Sequence, residues 1–176
     1  VNEAWTDAFN LYNPNIYEED LTHAYDAITK TCNYYYLSPS GSNNVNVTVF
    51  KPGFPWNVFL SGDFSTNSST YEIGFVGAQT EAGYALLRYG FDNKNSTYIS
   101  HGLAVLDFWA NEGLSTLGLP KTRYYSESGN WDSYAFTSLR QACTGMTSIL
   151  DAWCFYKKQG RDRTNWLNAC KKFGDW

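Results

Sequence analysis

The first 29 residues carry apolar side chains at helical spacing. Trp5, Ala8, Phe9 and Tyr12 fall on one face, and beyond Asn13-Pro14 so do Tyr17, Leu21, Ala24, Tyr25 and Ile28. Pro14 suits a first helical turn, and Glu18, Glu19 and Asp20 suit the positive end of the helix dipole. From Cys32 the pattern shortens. Val45, Val47 and Val49 alternate with Asn46, Thr48 and Phe50, and Val58, Leu60, Tyr71, Ile73 and Phe75 repeat the theme. Tyr84–Tyr89, Leu103–Trp109 and Leu114–Leu117 add apolar runs, with Tyr134–Phe136 and Ala152–Tyr156 as last strands. Clusters such as Lys51-Pro52-Gly53 and Asn111-Glu112-Gly113 punctuate them. Short strands between turn signals predict a mainly β fold, an antiparallel, jelly-roll-like sandwich. The expected organisation is a helical extension over 1–30, a sandwich over 31–156 and a basic C-terminal tail over 157–176.

Composition narrows the class. Of 176 residues, 18% are aromatic and 17% charged, a balance that excludes a disordered chain. The longest uncharged runs, 31–50 and 96–106, are studded with polar residues, so no membrane span is expected. A net charge of −4 argues against nucleic acid as the main partner. The charge is unevenly placed. Residues 1–30 hold six acids and one base, net −5, whereas 157–176 hold six bases and two acids, net +4. Opposite ends could pack together, meet between copies as a homo-oligomer, or stand as independent solvated faces.

Compartment follows from cysteines and sequons. Cys32, Cys143, Cys154 and Cys170 show no C-x-x-C spacing, so a structural zinc site is not expected. N-glycosylation triplets start at Asn46, Asn67 and Asn95. Three sequons with an even cysteine count read as a secreted or extracellular glycoprotein with two disulfides. Four cysteines allow three connectivities. Cys154–Cys170 is favoured because it closes a short loop at the tail, which leaves Cys32–Cys143. A start at Val1 fits a removed leader or a trimmed chain.

The segment from about Cys32 to Tyr156 resembles the farnesoic acid O-methyltransferase-like domain of invertebrate extracellular proteins. Tyr34-Tyr35-Tyr36-Leu37-Ser38-Pro39 leading into Val45–Phe50 is similar to that family's first strand pair. Val58-Phe59-Leu60-Ser61 followed by Tyr71–Gly77, then Leu86-Leu87-Arg88, then Phe108-Trp109 with Gly113-Leu114 and Leu117-Gly118, and lastly Thr144-Gly145 with Trp153, follow its order. Phe54-Pro55-Trp56-Asn57 and Gly77-Ala78-Gln79 depart from the family's pattern. The resemblance implies a β-sandwich recognition module, with carbohydrate the ligand most often suggested. It does not imply methyl transfer, because the Gly-rich strand–helix loop of a cofactor-binding α/β fold is missing from the sequence.

Catalytic patterns are sparse. There is no Gly-x-Ser-x-Gly, the only histidines are His23 and His101, and no pair of carboxylates stands out. No enzyme activity and no cofactor are expected. Asp63-x-Ser65-x-Asn67-x-Ser69 starts like a calcium loop but lacks its central Gly and closing acid, so no metal is expected. Sugar recognition places a ring under the apolar face of a pyranose and polar groups against its hydroxyls. Aromatics in turns are the candidates, namely Trp56, Tyr98, Tyr124, Tyr125 and Trp131, with His101 and Asp132 as polar companions. Trp109 and Trp153 are assigned to the core. The leading expectation is a secreted, lectin-like binding protein for a glycan or another extracellular ligand. The alternatives are a lipocalin-like carrier of a small apolar ligand and an assembly protein that oligomerises through its charged ends.

Overall fold

A computed structural model describes residues 14–39, 49–56, 70–74, 78–132 and 138–175, with the side chains of 14–21 excluded. Among these residues the elements are α1 (Pro14–Tyr34), β1 (Thr70–Glu72), α2 (Gln79–Asp92), α3 (Ser96–Glu112), β2 (Arg123–Tyr125), β3 (Asn130–Trp131), α4 (Leu139–Lys158) and α5 (Thr164–Gly174). Helix α2 packs on α3 and α4, and α5 packs on α4 and α3, so the four close around one core. Helix α1 leans on α2 from outside. The strands form one antiparallel sheet in the order β1-β2-β3.

This corrects the β-sandwich, and with it the sandwich implied by the family resemblance and the barrel of the lipocalin-like alternative. The runs read as strands at 84–89 and 103–109 are parts of α2 and α3. Their buried residues, Gly83, Leu86, Leu87 and Gly90 on α2 and Gly102, Val105, Leu106 and Trp109 on α3, recur every three to four positions. A short apolar run fits a buried strand or a buried helix equally, and here aromatic and β-branched content misled. Asn95 starts α3 as N-cap, its side-chain oxygen accepting from the backbone N–H of Thr97 (3.0 Å) and Tyr98 (3.2 Å). The 152–156 segment lies within α4, and the boundaries drawn at 30/31 and 156/157 fall inside α1 and α4. The runs at 45–48, 58–60, 75–76 and 134–136 lie outside the described residues.

Close approach sets the α2–α3 crossing. A Cβ on Gly102 would stand 2.5 Å from the Gly83 carbonyl oxygen and 2.6 Å from the Leu87 nitrogen, both backbone atoms. Residues 164–174 form a docked helix. Trp166 is fully buried on α5 and donates its indole N–H to Asp107 on α3 at 2.8 Å, and Asn165 donates to the same oxygen at 3.2 Å. Arg163 lies 3.4 Å from the other oxygen of Asp107. A buried indole needs such a partner, so these bonds fix the register of α5.

Candidate functional site on the outer face of the sheet

Strand register sorts the sheet's side chains into two faces. Tyr71, Tyr124 and Trp131 are opposite one another across β1, β2 and β3. Their rings turn inward, with Tyr124 and Trp131 centroids 4.9 Å apart and Trp131 stacked on Phe108 at 5.5 Å. Lys121 Nζ lies 4.5 Å from the Trp131 centroid, so this ring is sandwiched. Of the two sequence candidates among these rings, Tyr124 is therefore a core residue and Trp131 is half-buried against the core. Tyr124 is only 2% exposed.

The neighbouring positions point the other way, as the two-residue period of a strand requires. Glu72 is opposite Arg123, and Thr70 and Asn130 flank Tyr125. The Asp132 N–H donates to the Arg123 carbonyl at 3.0 Å, which carries the ladder one residue beyond β3. A row Glu72–Arg123–Asp132 thus crosses the sheet beside a row Thr70–Tyr125–Asn130. The hairpin closes through Ser126–Gly129. Gly129 adopts φ +71°, a left-handed conformation that glycine takes without a Cβ penalty.

Arg123 is the centre of this face. Its Nε donates to Glu72 Oε1 at 2.5 Å, while Gln141 at the start of α4 donates to Glu72 Oε2 at 3.0 Å. Glu72 is 1% exposed, so both oxygens of a buried carboxylate are satisfied by protein. The Glu72 hydrogen bond, more than any other cause, holds the Arg123 guanidinium further above its ordinary pKa. The rest of the guanidinium lies over Trp56, 5.0 Å from its ring centroid. Trp56 is positioned by Gln79. The buried Gln79 amide accepts from the Phe54 N–H (2.9 Å) and donates to the Phe54 carbonyl (2.8 Å), pinning the 53–56 segment to the first turn of α2. The Trp56 Nε1 is buried and has no hydrogen-bond partner among the described residues.

Of the seven sequence candidates, Trp56, Tyr125 and Asp132 converge on this face. Tyr98 and His101 do not. Both are half-buried on α3. Tyr98 packs on Tyr89 with centroids 5.5 Å apart, and His101 stacks on Tyr36 at 3.8 Å. His101 Nδ1 lies 2.8 Å from Asn33 Oδ1, so this nitrogen donates to α1, and burial lowers the imidazole pKa. Glu72, Arg123, Asn130 and Gln141 escaped the sequence reading. Glu72 and Arg123 are 51 positions apart, and only a called register would have paired them.

None of the four cysteines is disulfide-bonded in the structure, so neither the expected Cys154–Cys170 nor the expected Cys32–Cys143 bridge is seen. Cys143 and Cys154 are exposed on α4. Cys170, on α5, is pushed up to about 11 by burial and then by Cys154, and its thiol donates to the Met146 carbonyl at 3.6 Å. Cys32, raised by burial, lines a small apolar cavity of about 150 Å³ with Tyr35, Phe54, Pro55 and Ala82. Of the sequon asparagines, Asn95 is the α3 cap, and Asn46 and Asn67 lie outside the described residues, as does the calcium-like stretch at 63–69. Among the described residues no group of three or more His, Cys, Asp or Glu is placed to hold a metal ion. No helix among them is long and apolar enough to cross a membrane.

No protein-family model, no curated protein and no solved structure matches the chain. None of these comparisons supports the family resemblance, and its Leu86-Leu87-Arg88 and Phe108-Trp109 motifs lie in helices α2 and α3.

Proposed function

We propose that the chain is a secreted, non-enzymatic binding protein that recognises carbohydrate on the outer face of its three-stranded sheet. What carries the reading is the row Glu72–Arg123–Asp132, in which a buried, fully hydrogen-bonded carboxylate fixes a guanidinium beside Trp56, Tyr125 and Asn130. The face offers donors (Arg123, Asn130), acceptors (Asp132, Asn130) and the Tyr125 ring, 39% exposed, on one rigid frame. That is the mixture a polyhydroxyl ligand needs, with Tyr125 as the apolar platform. Arg123 is flanked by two carboxylates, so the face carries no excess positive charge and suits neutral rather than polyanionic sugars. Glu72 is committed to Arg123 and Gln141, which leaves it no role as a general acid or base. A glycan array followed by titration calorimetry tests this. Neutral oligosaccharides should bind with or without calcium, and Tyr125→Ala and Asn130→Ala should each weaken binding at least about tenfold, about 1.4 kcal/mol. An array without a binder, or a binder indifferent to both substitutions, sinks the proposal.

A further inference from the structure

We infer that the cavity between α1, the 53–56 segment and the first turn of α2 is a binding site for a small, uncharged aromatic molecule of one ring. The cavity measures about 150 Å³. Cys32 and Tyr35 of α1, the buried Phe54 and Pro55, and Ala78 and Ala82 at the start of α2 line it, with the exposed Thr31 at its rim. It shares no residue with the outer face of the sheet and goes beyond the carbohydrate reading. Its walls are fixed. Gln79 holds both backbone groups of Phe54 to α2. Leu37 and Gly53 exchange hydrogen bonds of 2.7 and 3.1 Å, which ties the same segment to the chain leaving α1. Tyr36 packs edge-on against Phe54, with centroids 6.0 Å apart. The space exists because α2 contributes two alanines to the wall. Ala78 stands there at φ 42°, a left-handed conformation that costs any residue but glycine.

Polarity selects the ligand. The hydrogen-bonding groups around the cavity are already committed. Gln79 takes the N–H and the carbonyl of Phe54. The Ala78 carbonyl accepts from the Ala82 N–H at 2.9 Å, and the Tyr35 N–H donates to the Thr31 carbonyl at 3.0 Å. The Thr31 hydroxyl donates to the Ala27 carbonyl at 2.7 Å. A trapped water wants about two to four polar partners, so water is poorly held here. No lining side chain is a carboxylate or a cation, and burial raises the Cys32 thiol, which keeps it neutral. An apolar cavity of about this volume takes up benzene, and that size limits the ligand to one ring. The aromatic class follows from Tyr35, Phe54 and the Cys32 sulfur, because rings and sulfur both contact a ring favourably.

Titration calorimetry of toluene on the full chain tests this. One saturable site with a Kd below about 1 mM is expected. Methylcyclohexane, of similar size but without a π face, should bind at least about fivefold more weakly. Ala82→Leu puts a good helix former into the cavity and should weaken toluene at least about tenfold, with circular dichroism unchanged. On the wild type itself, the ring current of bound toluene should shift the methyl NMR signals of Ala78 and Ala82 more than those of the other alanines, a readout that needs no variant. An absence of saturable binding up to the solubility of toluene overturns the inference. So does toluene bound equally well by a folded Ala82→Leu, methylcyclohexane bound as tightly as toluene, or methyl shifts confined to other alanines.

Discussion

Removing either partner of the Glu72–Arg123 pair should cost stability, and the two costs should differ in a way that burial sets. Arg123→Met leaves Glu72, 1% exposed, with Gln141 as its remaining partner, and an uncompensated buried charge costs about 3–5 kcal/mol. Glu72→Gln keeps the volume but cannot accept from both Arg123 and Gln141. The cation it strands is 35% exposed and reaches water, so the loss is that of a charge-assisted hydrogen bond, about 1.5–3 kcal/mol. At a urea slope of about 2 kcal/mol per molar, the midpoint should fall by about 1.5–2.5 M for Arg123→Met and about 0.7–1.5 M for Glu72→Gln. The double variant Glu72→Leu/Arg123→Met removes both charges and should regain most of the loss, because apolar replacement of a buried pair is often neutral. Chemical denaturation followed by tryptophan fluorescence gives all three midpoints. Equal costs, a reversed order, or a double variant as unstable as Arg123→Met would refute the assignment of Glu72 as a buried anion held by Arg123.

Three further outcomes follow from local geometry. Asn95→Ala removes the α3 cap and should cost about 1 kcal/mol, or roughly 2–4 °C in Tm, whereas Asn95→Asp keeps the cap and loses only the sequon. Calorimetry and intact mass separate the two roles. Gly102→Ala should cost about 1–3 kcal/mol or more, since its Cβ would meet backbone of α2 that cannot step aside, and thermal denaturation reads the loss. His101 has its folded pKa below the ordinary 6.5, so the unfolded chain binds more protons between those two values. Its contribution is therefore complete above about pH 6.5 and is lost as pH falls toward the folded value. Unfolding at pH 7.5 and 5.5 should show a loss on acidification that His101→Gln reduces, and an unchanged difference would exclude His101 as the titrating group.

Sequence alone determined that the chain folds, that the segment from Pro14 through Ile28 is helical, and which residue types could meet a ligand. Those conclusions depend on composition and on a long amphipathic period, both local quantities. The choice between helix and strand at 84–89 and 103–109 depended on what each run is buried against. Leu86, Val105 and Trp109 are apolar in either reading, and the α2–α3 crossing at Gly83 and Gly102 makes the helix the better burial. The site was legible only in part for a related reason. Trp56, Tyr125 and Asp132 advertise themselves as an exposed-type aromatic pair and a turn acid. Tyr124 and Trp131, one position away, look the same in sequence but turn inward, Tyr124 into the core and Trp131 half-buried against it. Their fate rests on strand parity, and parity is set by pairing with Tyr71, over fifty residues upstream. Glu72 and Arg123 become a pair only when that register brings them together. Local pattern fixes which residues are able to act, and only non-local pairing fixes which of them share a face.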